Sequence, residues 1–476
     1  MTEQNCAKLL SEFAPNYRLN FKKKHSNSCI YQEKVVSLQR FFKMHKIMYK
    51  KRIADELLKE WIESTGCVLV EGSKWCGKTT TAEQVAGSIV YMADTKDGAR
   101  NVQLAKNSPS YLLTGETPRL IDEWQVVPTL WDAIRGEVDH RRAPGQFIIT
   151  GSAVPVNRDQ IVHSGTGRIY PLLMRPMTLW ESEDSTGELS LASLFDQPEQ
   201  LLSESKIDIE KLAYLVCRGG WPFALTVKTE KAALNQAKVY YSGVVGVGDG
   251  SNSDISRADG VRRDPERVKR LMRSLSRNLG SQASIATIYQ DIKVNEDDTL
   301  SEDIIDQYIK ALRKIFVVED MRAWNPNLRS KTAIRTSDTR YFVDPSIAVA
   351  ALGLGPNDLI NDLETFGLFF ETMAVRDLRV YGDAMGGTVY HYRDKNNLEC
   401  DAVLHLENGN YGLIEIKLGG EDDIEKGATV LKDLADKIDT TRMKNPSFMM
   451  VLVGLGRYAY RRDDGVYVVP IGCLKP

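Results

Sequence analysis

The chain has 476 residues, 42% of them apolar and 26% charged, and 62 Lys and Arg nearly cancel 64 Asp and Glu to leave a formal charge of −2. That length exceeds one compact core and predicts two to four domains. The composition excludes a disordered chain, and the charge balance excludes a protein that holds nucleic acid by bulk positive charge.

No apolar run reaches the roughly 18 residues of a membrane span, and no apolar stretch stands beside the N-terminal charges as in a secretory signal, so no membrane partner is expected. The seven cysteines, at 6, 29, 67, 76, 217, 400 and 473, are odd in number and form no CxxC pair. That pattern predicts reduced thiols and a cytoplasmic location.

Residues 1–46 read as a basic extension, expected to lie outside the folded part. Residues 1–52 carry twelve Lys and Arg against three Asp and Glu. Met44 and Met48 precede the first well-patterned helix, so a natural start there is preferred over a basic arm that touches an acidic partner. From Tyr49 a helix (Ile53, Leu57, Leu58, Trp61) leads to an apolar strand at 67–70, a Gly-rich turn and a helix through about Gly87. Further strands are expected at 111–113, 119–122 and 146–150, separated by helix-length segments. Strand–helix alternation of this kind predicts an α/β fold with a parallel sheet over 47–200.

Residues 201–245 read as a helical lid or connector broken by Arg218-Gly-Gly-Trp-Pro222, and 246–261, rich in Gly, Ser and Asp, as a linker. Helices at 265–278, 284–292 and 301–316 and a strand at 317–324 predict a winged-helix-like region over 262–330. Its first helix is basic, but the expected recognition helix opens Ser301-Glu302-Asp303 and carries Asp306. Acids there cap a helix and repel DNA, which favours a packing or protein-contact module. The remainder, 331–476, is expected as a second α/β domain: a helix at 366–378, strands at 388–393, 398–406 and 411–418, a helix at 423–437 and a strand at 447–453.

Gly72-Ser73-Lys74-Trp75-Cys76-Gly77-Lys78-Thr79 matches GxxxxGK[ST] between a strand and a helix. The glycines let backbone N–H groups turn inward toward phosphate oxygens, and the following helix adds its positive end. Lys78 is expected to bridge the β- and γ-phosphates of ATP, with Thr80 also at the nucleotide and the Thr79 hydroxyl on Mg²⁺. Leu120-Ile121-Asp122-Glu123 ends a strand some forty residues on. Asp122 is expected to hold the metal and Glu123 to act as general base. Thr150, or Ser152, ends another strand where it could sense the γ-phosphate. Arg141, Arg142 and Arg168 are candidate arginine fingers, with surface ion pairs as the preferred reading.

In the C-terminal part, Asp401 precedes Glu415-Ile416-Lys417, and Glu399, Asp401, His405 and Glu407 alternate with other residues along a strand. Asp401, Glu415 and Lys417 share one sheet face if the loop between their strands has three residues, expected as 408–410 with 401 opposite 417; a two-residue turn would split them. Glu371, on the preceding helix, is a candidate fourth acid. A cross-strand salt-bridge cluster stays the competing reading.

The motifs GSKWCGKTTTA (72–82), LIDEWQ (120–125), ITGSA (149–153), HSGTGRIYPLLMRPMTLWES (163–182), RGGWP (218–222), YFVDPSIAVAALG (341–353), TFGLFFETMAVRDLRVY (365–381) and HYRDKNNLECDAV (391–403) together resemble bacterial and archaeal AAA-type ATPases that carry a C-terminal domain of unknown function 4143. The resemblance spans about 49–475. It implies an ATPase core, a winged-helix region and a nuclease-like C-terminal fold. Asp401…Glu415-x-Lys417 resembles the PD-(D/E)xK nuclease core, in which the two carboxylates would hold Mg²⁺ and Lys417 would steady the attacking hydroxide or the phosphate charge. Two functions stand open: an ATP-driven enzyme that cleaves nucleic acid, or an NTPase switch whose C-terminal fold only binds. A protein partner and a homo-oligomer are open for both.

Overall fold

The computed structural model describes residues 49–152, 164–199, 201–246, 250, 252–295, 300–325 and 337–476. The basic extension 1–46 lies outside them. The first unit runs α1 (Ile53–Ser64), β1 (Cys67–Glu71), α2 (Lys78–Glu83), β2 (Ser88–Tyr91), α3 (Gly98–Asn107), α4 (Pro109–Leu112), β3 (Arg119–Asp122), α5 (Leu130–Arg141), β4 (Phe147–Gly151) and β5 (Ile169–Leu173). All five strands pair in parallel, in the order β2-β3-β4-β1-β5. Strands covered on both faces must be apolar at successive positions, which the CVLV and FIIT runs satisfy. Cys67, Leu69, Ile121, Phe147 and Ile149 enter one core, and Val68, Val70, Leu120 and Ile148 enter the other. Because β4 separates β1 from β3, the end of β4 falls between the glycine-rich turn and Asp122.

Two expected elements are corrected. Residues 111–113 are not a strand: Pro109 sits at the first position of α4, where its fixed φ favours a helix start. The second strand is instead the four-residue β2, too short for its alternation to show. The helix after the glycine-rich turn ends at Glu83, before Gly87.

The middle of the chain continues with β6 (Leu189–Ser190), α6 (Ile209–Arg218), α7 (Glu230–Val245), α8 (Asp254–Arg257), α9 (Pro265–Arg277), α10 (Ile285–Asn295), α11 (Glu302–Lys314), β7 (Val318–Met321), β8 (Thr339–Phe342), α12 (Pro345–Leu352) and α13 (Pro356–Asn361). Side-chain caps start most of these helices: Asp208, Thr229, Ser253, Asp264, Ser301 and Asp344 each accept a first-turn N–H. The described part of 246–261 is not an exposed tether. Ser253, Ile255 and Ser256 are buried, and Arg263 reaches back to the Ile255 carbonyl at 2.8 Å and to Asp259 at 2.7 Å. Polar composition suggested a linker; the caps and this buried arginine use the same polar atoms to fold it. β7 and β8 form an antiparallel pair behind α9–α11.

The C-terminal unit comprises α14 (Leu363–Ala384), β9 (Gly387–Arg393), β10 (Glu399–Leu406), β11 (Tyr411–Lys417), α15 (Glu421–Lys437), β12 (Phe448–Val453), β13 (Tyr460–Arg461), β14 (Tyr467–Pro470) and β15 (Leu474–Lys475). Its six-stranded sheet has the order β13-β14-β12-β11-β10-β9, and β15 leaves it to pair with β6. α14 is the spine of the molecule. Its apolar side chains Phe366, Phe369, Phe370 and Met373 are fully buried in a core that runs from Leu179 to Leu474.

Two polar side chains near the C-terminal end of α14, Asp383 and Arg379, tie it to the segment after β5 and to β7. Arg175, just past β5, pairs with Asp383 of α14 and Glu319 of β7, each at 2.6 Å. Burial alone would raise the Glu319 carboxyl, but Arg175 and Arg379 outweigh it and hold it at about 2. A carboxyl held below its unfolded value contributes stability above the ordinary glutamate range and loses it as pH falls toward 2. Between pH 5 and 3 the parent chain should therefore lose on the order of 2 kcal/mol more than Glu319→Gln. Urea denaturation at both pH values measures this; equal losses would show that the pair contributes nothing.

Candidate nucleotide site and C-terminal carboxylate cluster

The 72–79 segment is curled. Gly72 (φ 147°), Trp75 (φ 65°) and Gly77 (φ 106°) take the left-handed backbone that wraps a loop around an anion. A Cβ on Gly72 would overlap the Met174 carbonyl, so only glycine fits there. Lys78 opens α2 and is 5% exposed. Its ammonium donates to the carbonyls of Gly72 at 3.0 Å and Ser73 at 2.8 Å. The Thr79 hydroxyl donates to Asp122 Oδ1 at 2.6 Å, and Thr150, at the end of β4, donates to the same oxygen at 2.7 Å. Thr150 Oγ1 also accepts from the Glu123 N–H at 3.2 Å, across a residue held at φ 57°. Glu123 Oε2 in turn accepts from Ser152 at 3.2 Å and from Gln125 Nε2. Thr79 and Asp122 offer oxygens that suit a hard cation such as Mg²⁺.

The turn is gripped from outside. Arg52 donates to the Cys76 carbonyl at 2.6 Å while its Nε pairs with buried Glu181 at 3.0 Å. Lys74 pairs with Asp254 of α8. Trp75, half exposed, meets Tyr240 of α7 edge-on at 6.2 Å, and Tyr240 stacks on Trp221 at 4.1 Å. Arg168 pairs with Asp139 at the surface, whereas partly buried Arg141 pairs with Glu137 and donates to the Leu113 carbonyl at 3.0 Å. Arg142 terminates α5 in the left-handed region.

At the other end, β10 and β11 are antiparallel with 402 opposite 414 and 405 opposite 411. The Leu406 N–H donates to Asn410 at 2.8 Å, so the loop holds three residues, 407–409, with Gly409 at φ 80°. This is one residue earlier than the expected 408–410 and sets 401 opposite 415. Parity is unchanged, so Asp401, Glu415 and Lys417 do share a face.

Lys417 pairs with Glu415 at 2.7 Å and Asp401 at 3.2 Å. Asp401 Oδ2 also accepts the Ile416 N–H at 2.7 Å. Burial and then the Asp401 charge push the Glu415 carboxyl up to about 8, and the same two causes push Glu371 up to about 8. Burial opposes the Lys417 charge, but Asp401 and Glu415 outweigh it and raise the ammonium above the usual lysine range. Among the described residues no three His, Cys, Asp or Glu side chains come together as ligands for one ion.

Three family models match the chain in tandem: an AAA domain over 64–183, a domain of unknown function 8612 over 209–358, and a domain of unknown function 4143 over 366–474. The chain carries an AAA domain and a C-terminal DUF4143 domain. Uncharacterized proteins of Mycobacterium tuberculosis and Mycobacterium bovis are each 22% identical to it over 373 residues, which is 78% of this chain and 74% of theirs. Among solved structures, a Walker-type ATPase of Pyrococcus abyssi matches 63% of this chain and 94% of its own at 13% identity, with a TM-score of 0.37. That score is too low to compare the two folds. No helix among the described residues is long and apolar enough to cross a membrane.

The sequence reading picked out the loop, Asp122, Glu123 and Thr150, and the structure brings all of them together. It did not find Arg52, Gln125, Tyr240 or Asp254 around the AAA loop, nor Tyr341, whose hydroxyl donates to Glu371 Oε1 at 2.6 Å beside the DUF4143 cluster. Arg52, Tyr240, Asp254 and Tyr341 lie far in sequence from what they touch, and no spacing pattern marks them. Only Gln125 had a local signal, two residues after Glu123.

Proposed function

We propose that the AAA domain binds and hydrolyses MgATP and that its nucleotide state is passed to the DUF4143 domain. The convergence of the Thr79 and Thr150 hydroxyls on one oxygen of Asp122, beside the buried Lys78, carries this reading. Bound triphosphate would draw Lys78 from the Gly72 and Ser73 carbonyls onto the β- and γ-phosphates. Thr79 and Asp122 would hold Mg²⁺, which when bound neutralises charge on those phosphates. Glu123, oriented by Gln125 and Ser152, is placed to polarise the attacking water, and Thr150 fixes the Glu123 backbone to Asp122.

Transmission is supported by a continuous set of contacts. Trp75 meets Tyr240, Tyr240 meets Trp221, and the Trp221 indole N–H donates to Ser346 at 2.9 Å. Asp344, bound to the N–H and hydroxyl of Ser346, accepts from Gly220 and from Arg376 of α14. α14 also carries Glu371, whose carboxyl is pushed up by burial and then by the Asp401 charge. The alignment of Asp401, Glu415 and Lys417 on one face favours a phosphodiester-cleaving effector over a purely binding one. As arranged, Lys417 stands between the two acids and they do not form a cation site. ATP turnover and nucleic-acid cleavage by the full chain test the two halves separately. Absence of turnover in the parent chain would end the first. Mg²⁺- or Mn²⁺-dependent cutting of DNA or RNA that survives Lys417→Ala would end the assignment of the second.

A further inference from the structure

β2 is an edge of the AAA sheet and pairs with β3. Against it lies a cavity of about 470 Å³, walled by β2, α3 and α4, a volume within the range of small-ligand pockets. Ser88 is opposite Arg119 and Tyr91 is opposite Asp122, so the two ends of the cavity are chemically distinct. Three residue steps of strand separate them, about 10 Å.

Arg119 stands at the Ser88 end. Its Nε donates to the Leu112 carbonyl at 2.7 Å and its Nη1 to the Ser88 hydroxyl at 2.9 Å. Both acceptors are neutral, and among the described residues no carboxylate pairs with this guanidinium. Burial and then the Arg141 charge disfavour its charged form, and no acid offsets them. A Cβ on Gly115 would stand 2.1 Å from Arg119 Nη1, so glycine there leaves the guanidinium its place. At the Tyr91 end, Asp94 and Asp97 line the cavity with Arg100. Asp94 accepts the Lys96 N–H at 3.2 Å, Asp97 precedes α3 without capping it, and among the described residues neither acid pairs with a cation. Between the two ends Ile89, Leu104 and Tyr111 form an apolar wall, with Ile89 and Tyr111 exposed.

We propose that this cavity binds a short extended peptide that runs opposite to β2, with its C-terminal carboxylate on Arg119, its N-terminal ammonium at Asp94 and Asp97, and apolar side chains against Ile89, Leu104 and Tyr111. An extended tripeptide spans about 10 Å, the separation of the two charged ends. A guanidinium whose other acceptors are neutral suits a carboxylate, and an edge strand suits an extended backbone beside it. The acids at the Tyr91 end favour a charged terminus there over a chain that continues. The Met92 N–H donates to the Asp122 carbonyl at 3.1 Å, so one strand separates the occupant from the nucleotide site.

Titration calorimetry of the full chain with trileucine, its C-terminal amide and its N-acetyl derivative tests this. Trileucine should bind about tenfold more tightly than either derivative, because each derivative loses one charge-assisted contact. Arg119→Gln should erase the difference between trileucine and its amide. Asp94→Asn with Asp97→Asn should erase the difference between trileucine and the acetyl form. The comparison of the three peptides on the parent chain needs no variant to fold. Absence of trileucine binding at millimolar concentration, or equal binding of all three peptides, overturns the proposal. A preference for the carboxylate that survives Arg119→Gln, or one for the ammonium that survives the double aspartate variant, overturns it as well. So does loss of binding in Lys78→Ala, since the carboxylate would then occupy the phosphate loop.

Discussion

Glu123→Gln should bind ATP as the parent does and turn it over about 10²–10⁴-fold more slowly, the range expected when a general base is removed. The amide keeps the shape of the carboxylate and can still meet Ser152 and Gln125, so the left-handed turn at 123 and its tie to Thr150 survive. What it loses is the negative oxygen that polarises water. Lys78→Ala should behave differently, because it removes the only buried ammonium of the loop and therefore weakens binding first. Phosphate release, together with the fluorescence of a labelled ATP analogue, separates the two effects. Turnover by Glu123→Gln within a few-fold of the parent would remove Glu123 from its role.

The largest stability effect is expected at Asp344. This side chain is fully buried and accepts four hydrogen bonds: from the N–H and hydroxyl of Ser346, the N–H of Gly220 and the guanidinium of Arg376. Alanine there removes the cap of α12 and leaves Arg376 buried with one acid, Asp377, in place of two. Breaking a buried ion pair from one side costs roughly 3–5 kcal/mol, chiefly because the remaining charge cannot reach water. The urea midpoint of the full chain should fall accordingly. Replacing Asp344 and Arg376 by apolar residues together with Asp377→Asn should recover part of the loss, since no lone charge is then stranded and the amide can still accept the Leu179 N–H. A loss below about 1 kcal/mol for Asp344→Ala would mean that the contact between the middle region and α14 is not held by this cluster.

The parallel sheet was legible because strands buried on both faces must be apolar at consecutive positions, as in CVLV and FIIT. β2 was not: four residues at a sheet edge carry too little pattern, and Tyr111 with Leu112 and Leu113 imitated a strand where Pro109 had started a helix. The face shared by Asp401, Glu415 and Lys417 followed from strand parity alone. The register between β10 and β11 did not, because loops 407–409 and 408–410 both hold three residues and keep that parity, while only the position of Gly409 in the left-handed region separates them. Composition alone could not tell a tether from the buried, capped turn that the described part of 246–261 forms, since Ser, Asp and Gly serve both equally well.

The linear order of residues determined the elements whose chemistry is local: a turn whose backbone must bend back on itself, an acid at a strand tip, and charges alternating along a strand. These depend on neighbours within a few positions, and steric limits on φ and ψ act at that range. Tertiary structure alone decided that β4 stands between the loop and Asp122, that Tyr240 and Asp254 grip the loop, and that Tyr341 holds Glu371. Each of these joins atoms 28 to 180 positions apart. Such contacts exist because the first sheet and the core around α14 each close over distant segments, and no local rule of the chain encodes where they will close.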